Sequence, residues 1–425
     1  MFARNMRQSV VAAAALMLSL TCAPLCHAAC VPAGQAPSAP KDPVMRLLTA
    51  QDSCPRNAME FIDALKRSGA RSEPTMVNAA GFNDPDAGGF FIFEIVTSEG
   101  ASPSGLTISR GDLLFGHFTA ATADGRLVSK QSGLALELIA WDPDKQFFNF
   151  YELFNRNWFY RGDSQSILDD VALLHRRRDG GQVPFGTNLR CSGCHVNGGL
   201  IQKELAPPHN DWFVQSRPLT FGKKLKPDPF LEGRLAAMLD ADELSKQVKA
   251  STQRLADSPN YQKVLAAPGR GMQAQLRPLF CPMELNIESD SEPVDDKNRA
   301  LRVPSAFFVD TRLAAADISI DRQHYDAAVA KLNSRLTETS ERADADHGWL
   351  TPVKANSDIV AAESLIRRGT VTREFAVAVL AVDFTNPVFS KTRCDLLKLV
   401  PDQAGPDFEV RFLGALRGAS GPGAA

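Results

Sequence analysis

Residues 191–195 read Cys-Ser-Gly-Cys-His, two thiols three positions apart with an imidazole directly behind the second. Three chemistries use such a pair. A structural zinc site takes four ligands, normally from two such knuckles, and this chain has no second C-x-x-C and no H-x-x-x-H. A thioredoxin-like redox pair sits between a strand and a helix of an alternating βαβ pattern, whereas this motif follows a polar turn after a series of antiparallel-type strands. The third chemistry uses every residue: both thiols add to the vinyl groups of a haem, and the imidazole binds its iron. Three-residue spacing sets the two sulfurs on one face of a helical turn, and small Ser192 and Gly193 leave room for the macrocycle. The motif therefore predicts one covalent haem, with Cys191 and Cys194 as anchors and His195 as proximal iron ligand.

A sixth iron ligand is not fixed by the sequence. Met272, in Gly269-Arg270-Gly271-Met272, and Met283, in Phe280-Cys281-Pro282-Met283, stand in loop-like contexts, and His209, in Pro207-Pro208-His209, is the nearest further imidazole. His117 and His175 are more remote candidates. Each has an ordinary alternative, since methionine commonly fills core gaps and a lone histidine is commonly a hydrogen-bonded structural group.

Through Cys191, Cys194 and His195 the chain resembles the c-type cytochromes. That resemblance implies haem c, electron transfer through its iron and a redox partner protein. The layout of residues 85–200 has a second likeness. Aromatic-rich strands lead to Asn157-Trp158-Phe159-Tyr160 and then to the haem motif, which is similar to the β-sheet haem family of lysine cross-linked hydroxylamine-oxidising cytochromes and β-type cytochromes c-prime. The second resemblance implies Lys130 as the lysine to examine for a cross-link. An iron with an open distal face, lined by aromatics such as Phe115, Phe118, Phe148 and Phe150, would admit small ligands. Three haem functions thus stay open: an electron carrier, a haem oxidoreductase acting on a small nitrogen compound or peroxide, and a ligand sensor. A fourth reading has no haem and joins Cys191 to Cys194 in a disulfide.

The elements that must position the motif follow from hydrophobic periodicity. A helix is expected over residues 55–68, with Met59, Phe61, Ile62 and Leu65 on its apolar side and Gly69 to end it. Apolar runs at residues 90–96, 113–118, 134–139 and 147–151, separated by Ala123-Asp124-Gly125 and Asp142-Pro143-Asp144, predict antiparallel strands. Past Asp163-Ser164, a helix N-cap, Ile167, Val171 and Leu174 mark a helix running into His175-Arg176-Arg177-Arg178. Those cations suit a helix C-terminus, or else face the propionates of a nearby cofactor. Helices are also expected over residues 200–280, 321–336 and 372–382, with an acidic loop at 289–297. The expected class is α+β: an antiparallel, β-rich N-terminal half ending in the haem motif, then a mainly helical C-terminal half. Its segments are 1–29 a signal peptide, 30–84 a lead-in and helix, 85–200 the β-rich haem-binding region, 201–413 the helical region and 414–425 a disordered tail.

Arg4 and Arg7 precede the apolar run Val10 to Leu20, and small residues follow at Ala23, Ala28 and Ala29, the layout of a secretory signal. Cleavage near Ala28 or Ala29 is expected ahead of lipid attachment at Cys30, because His27 stands where a lipid signal usually has an aliphatic residue. A periplasmic or otherwise exported protein without a transmembrane segment follows, since the run is shorter than the roughly 20 residues a span needs. With a formal charge of −2, the 425-residue chain has no basic field that would point to nucleic acid. In an exported chain thiols tend to pair, and the simplest partition of the remaining mature cysteines joins Cys30 to Cys54 and Cys281 to Cys394. No phosphate-binding, nucleotide-binding or hydrolase motif occurs.

Overall fold

The computed structural model describes residues 41–78, 91–98, 105–169, 225–239, 241–267, 271–281, 356–383 and 390–419. It also describes Cys30, residues 32–34, Gly89, Cys191, His195, residues 198–200, 301–302 and 319–320, and Gln323. The fold is α+β, with an antiparallel sheet in the N-terminal half and helices in the C-terminal half. The sheet comprises β1 (Ala70–Asn78), β2 (Phe91–Ser98), β3 (Leu113–Ala121), β4 (Arg126–Ser129), β5 (Leu134–Asp142), β6 (Phe147–Phe154) and β7 (Asn157–Asp163). Their spatial order is β1-β2-β3-β5-β6-β7, with β4 paired to β3 and a two-residue β8 (Lys226–Pro227) running parallel to β4. The four expected strands are β2, β3, β5 and β6; β1 extends the sheet ahead of residue 85.

Both faces of the sheet are covered, so its central strands are apolar on both sides. Two helices lie on the first face. α1 (Pro43–Thr49) starts at Asp42, whose carboxylate accepts from the Val44 and Met45 amides, and Pro43 occupies the first turn, where its missing N–H costs nothing. α2 (Ala58–Arg67) is capped by Asn57, while Glu60 reaches back to the Arg56 amide, a close relative of the capping box. Phe61, Ile62 and Leu65 are buried against Leu113, Phe115, Leu136, Tyr151 and Trp158. Met59 departs from expectation: it is 44% exposed, because at 100° per residue it lies about 120° round the helix from the centre of the buried stripe.

The chain then wraps round the β1 edge. α3 (Pro229–Ala236) packs Leu231 beside Ile92, Leu127 and Met238. Leu239 donates to the carbonyl of Pro74 on β1, and α4 (Ala241–Asp257) and α5 (Pro259–Leu265) cover the second face through Leu244, Val248, Leu255 and Tyr261. These helices belong to the sheet's own layers, although they follow residue 200.

A further helical cluster has its own core. α6 (Gly271–Phe280), α7 (Asn356–Arg367), α8 (Arg373–Ala381), α9 (Lys391–Asp395) and α10 (Phe408–Gly418) enclose Leu276, Phe280, Phe375, Leu380 and Phe412. Thr372 caps α8 by accepting from the Phe375 amide, at the helix expected over 372–382. The tail expected to be disordered from Gly414 begins instead inside α10, held by Leu416 packing on this core. Disulfides Cys30–Cys54 and Cys281–Cys394 form as expected, the first under α1 and α2, the second between α6 and α9. Among the described residues, no helix is long and apolar enough to cross a membrane. The expected signal peptide, the Arg176–Arg178 cluster, the acidic loop and most of the helix expected over 321–336 lie outside the described residues.

Candidate functional site

The second face of the sheet supports the motif. On β6, Phe148 and Phe150 point to this face, and Ser164 at the exit of β7 binds the Phe148 amide through Oγ at 2.9 Å. Asp163 caps the helical residues 164–169: its carboxylate accepts from the Ser166 amide at 3.0 Å, while its own amide donates to Ser166 Oγ. Ile167 and Leu168 on that turn are buried beside Phe148 and Phe150.

Against this surface sits the described part of the motif. Cys191 is helical, half-buried and packed on the same apolar cluster, and the His195 amide donates to its carbonyl at 2.8 Å, closing one helical turn. A tight turn follows, in which Gly198 donates to the His195 carbonyl. Gly198 has φ +72°, and a Cβ there would stand 2.5 Å from the Ser164 carbonyl oxygen, so both backbone conformation and space require glycine. Leu200 returns the chain to the cluster. Cys194 lies outside the described residues.

The imidazole of His195 is fixed by two neighbours. Its Nδ1 is 2.7 Å from the Gly199 carbonyl oxygen, and its ring centroid is 5.1 Å from that of Phe150. A carbonyl can only accept, so Nδ1 carries the proton and Nε2 the lone pair. Burial pushes the imidazole down to about 4, more strongly than the Gly199 carbonyl pulls it up, and the ring is neutral at neutral pH. Neutral imidazole with Nδ1 donating to a backbone carbonyl and Nε2 available is the state that binds a metal. His195 therefore fits the role of an iron ligand, and Cys191 on the same turn fits that of one of the two thiols a covalent haem would join.

The other candidates are dispersed. His117 is fully buried on the first face, its Nε2 3.0 Å from Glu94 Oε1, and Glu94 also binds Arg234 of α3. Glu94 was missed from the sequence, although a carboxylate inside the run Phe93-Glu94-Ile95-Val96 is a signal of a buried ion pair. Met272 starts α6 rather than a loop and is buried in the helical cluster, away from the cluster that holds Cys191. Met283, His209 and His175 lie outside the described residues.

Of the four aromatics, Phe150 flanks His195 and Phe148 shares its face. Phe115 packs edge-on against Phe61 on the opposite face, while Phe118 pairs with Phe91 and has the Lys130 ammonium 5.9 Å from its centroid. The sequence marks Asp163-Ser164 as a helix cap but not the Ser164 bond to β6, and the sign of the turn at Gly198 and Gly199 is the Gly-Gly pair three residues past the histidine.

Among the described residues, no three His, Cys, Asp or Glu side chains converge as a metal site. No protein-family model, no curated protein and no solved structure matches the chain.

Proposed function

We propose that the protein is an exported mono-haem c-type cytochrome that passes electrons between partner proteins. The observation carrying this reading is the hydrogen bond from His195 Nδ1 to the Gly199 carbonyl, which leaves Nε2 as an acceptor on the helical turn that Cys191 begins. When bound, haem supplies a one-electron iron couple. The chain's part is to hold Cys191 and His195 on one turn, to orient the imidazole between Gly199 and Phe150, and to bury that turn against the sheet. The two disulfides accord with an oxidising compartment, where haem attachment to thiols also takes place.

A second reading, an iron with an open sixth position serving a haem oxidoreductase or a ligand sensor, is favoured by the burial of Met272 in a separate core. Absorption spectra of the reduced protein with and without carbon monoxide separate the two. An unchanged spectrum indicates a six-coordinate iron and a carrier; a large Soret shift moves the function to ligand binding. The proposal as a whole is tested by haem-staining a denaturing gel of wild type and of Cys191→Ser/Cys194→Ser. Stain in wild type alone supports it, and an unstained wild type would leave a disulfide-bonded binding protein.

A further inference from the structure

We propose that Arg161 is a carboxylate anchor, binding a propionate of the haem held at His195; the inference rests on the haem reading above. Its basis is an irregularity in the sheet. Asn149 pairs with Asp163 and Tyr151 with Tyr160, so one residue of β6, Phe150, faces two residues of β7, Arg161 and Gly162. This is a β-bulge, a device that re-aims a side chain and is common beside functional sites. It is built into the sequence, because Gly162 has φ +106° and a Cβ there would collide with Ser166 Oγ.

The bulge places Arg161 on the second face, next to the aromatic ring that flanks His195. Arg161 Nε donates to Glu152 Oε2 at 2.8 Å, and Glu152 stands two residues along β6 from Phe150, hence on the same face. Glu152 is fully buried and the Arg161 side chain is 18% exposed, stacked 4.7 Å from the centroid of Phe159. A buried carboxylate gripping Nε fixes the plane of the guanidinium. Among the described residues, Nη1 and Nη2 of Arg161 make no hydrogen bond, and that pair is the fork that binds a carboxylate in two places.

Two other cations among the described residues of this face are worse suited. Arg254, over Trp141, uses both Nη atoms on Asp112 and the Gly111 carbonyl, and Lys130 is a point charge over Phe118. Glu152 already occupies Nε, so a further carboxylate pairs with the guanidinium through the Nη fork.

The test compares wild type, Arg161→Gln, Arg161→Lys and the double variant Glu152→Gln/Arg161→Gln by haem stain and by midpoint potential. The double variant removes both charges of the Arg161–Glu152 pair together, and so removes the fork without changing net charge. Covalent haem is expected in all four, because the thioether bonds do not depend on the anchor. Arg161→Gln and the double variant should each shift the ferric–ferrous equilibrium about tenfold, which is about 59 mV for one electron, and Arg161→Lys by less. A wild type without haem would remove the haem reading and the anchor with it. Haem-loaded variants all within about threefold of wild type would overturn the anchor alone. So would a shift in Arg161→Gln that is absent from the double variant, which would trace it to the Glu152 carboxylate left without Arg161. A difference that appears only on adding acetate or nitrite would assign the fork to a free anion instead.

Discussion

Beneath and above its strands the sheet region buries charged and polar side chains in closed clusters, whereas the helical cluster around Phe280 is almost wholly apolar and is tied by a disulfide. In the sheet region, Asp42 accepts from Tyr151 Oη at 2.6 Å, from Asn149 Nδ2 at 2.8 Å and from the first amides of α1. Burial pushes the Asp42 carboxyl up against those donors. Glu94 sits between His117 and Arg234, and Glu152 under Arg161. The helical cluster instead stacks Phe280, Phe375, Phe408 and Phe412 edge to face, with Arg393 bonding the Phe280 carbonyl. Buried ion pairs add little net stability but are costly to break, so their value lies in fixing one arrangement. The region that carries the motif is built for position, and the other for cohesion.

The largest effect should come from breaking the buried triad. Glu94→Leu leaves two basic side chains without their carboxylate and is expected to cost about 3–5 kcal/mol in chemical denaturation. Burial alone would raise the Glu94 carboxyl, but His117 and Arg234 together hold it below its ordinary value of 4.5. A depressed carboxyl contributes stability that is complete above the unfolded value and lost as pH falls through the folded one. Wild type should therefore weaken progressively below about pH 4.5, and Glu94→Leu should lack that component; parallel acid titrations would break the comparison.

Next, removing the helical cluster's tie with Cys281→Ser/Cys394→Ser should cost about 2–5 kcal/mol, since the bridge closes a loop with a separation of 113 residues. Hydrogen exchange should then rise in α6 to α9 while β5 and β6 keep their protection. Uniform loss across both regions would show that the two cores unfold as one.

The smallest effect tests how the motif depends on the sheet. Gly198→Ala forces a positive φ on alanine and presses against Ser164, with an expected cost of about 1–3 kcal/mol. Its specific sign is loss of the His195 Nδ1 proton resonance protected by Gly199. A variant retaining that resonance would show that the turn does not orient the imidazole.

The same two regions differ in how much the sequence reveals. Strands β2, β3, β5 and β6 are legible because each is a dense apolar run between turn-formers. β1, with the sequence Ala-Arg-Ser-Glu-Pro-Thr-Met-Val-Asn, is not. It is an edge strand interrupted by Pro74 at a register shift, and its Ser72 and Thr75 side chains bond distant segments. The motif announces Cys191, Cys194 and His195 directly, and six mature cysteines left one simple pairing once two were set aside. Nothing local tells that Leu244 and Val248 cover the sheet, that Arg234 reaches Glu94 from 140 residues away in sequence, or that a bulge sets Arg161 opposite Phe150. Those features depend on register and on packing between distant segments, which periodicity does not carry.

The most direct test of the central claim is the mass of the proteolytic peptide containing residues 191–195 from protein purified under non-reducing conditions. The account predicts that this peptide carries one haem joined through both Cys191 and Cys194. A haem-free peptide at the mass of an internal Cys191–Cys194 disulfide would contradict it.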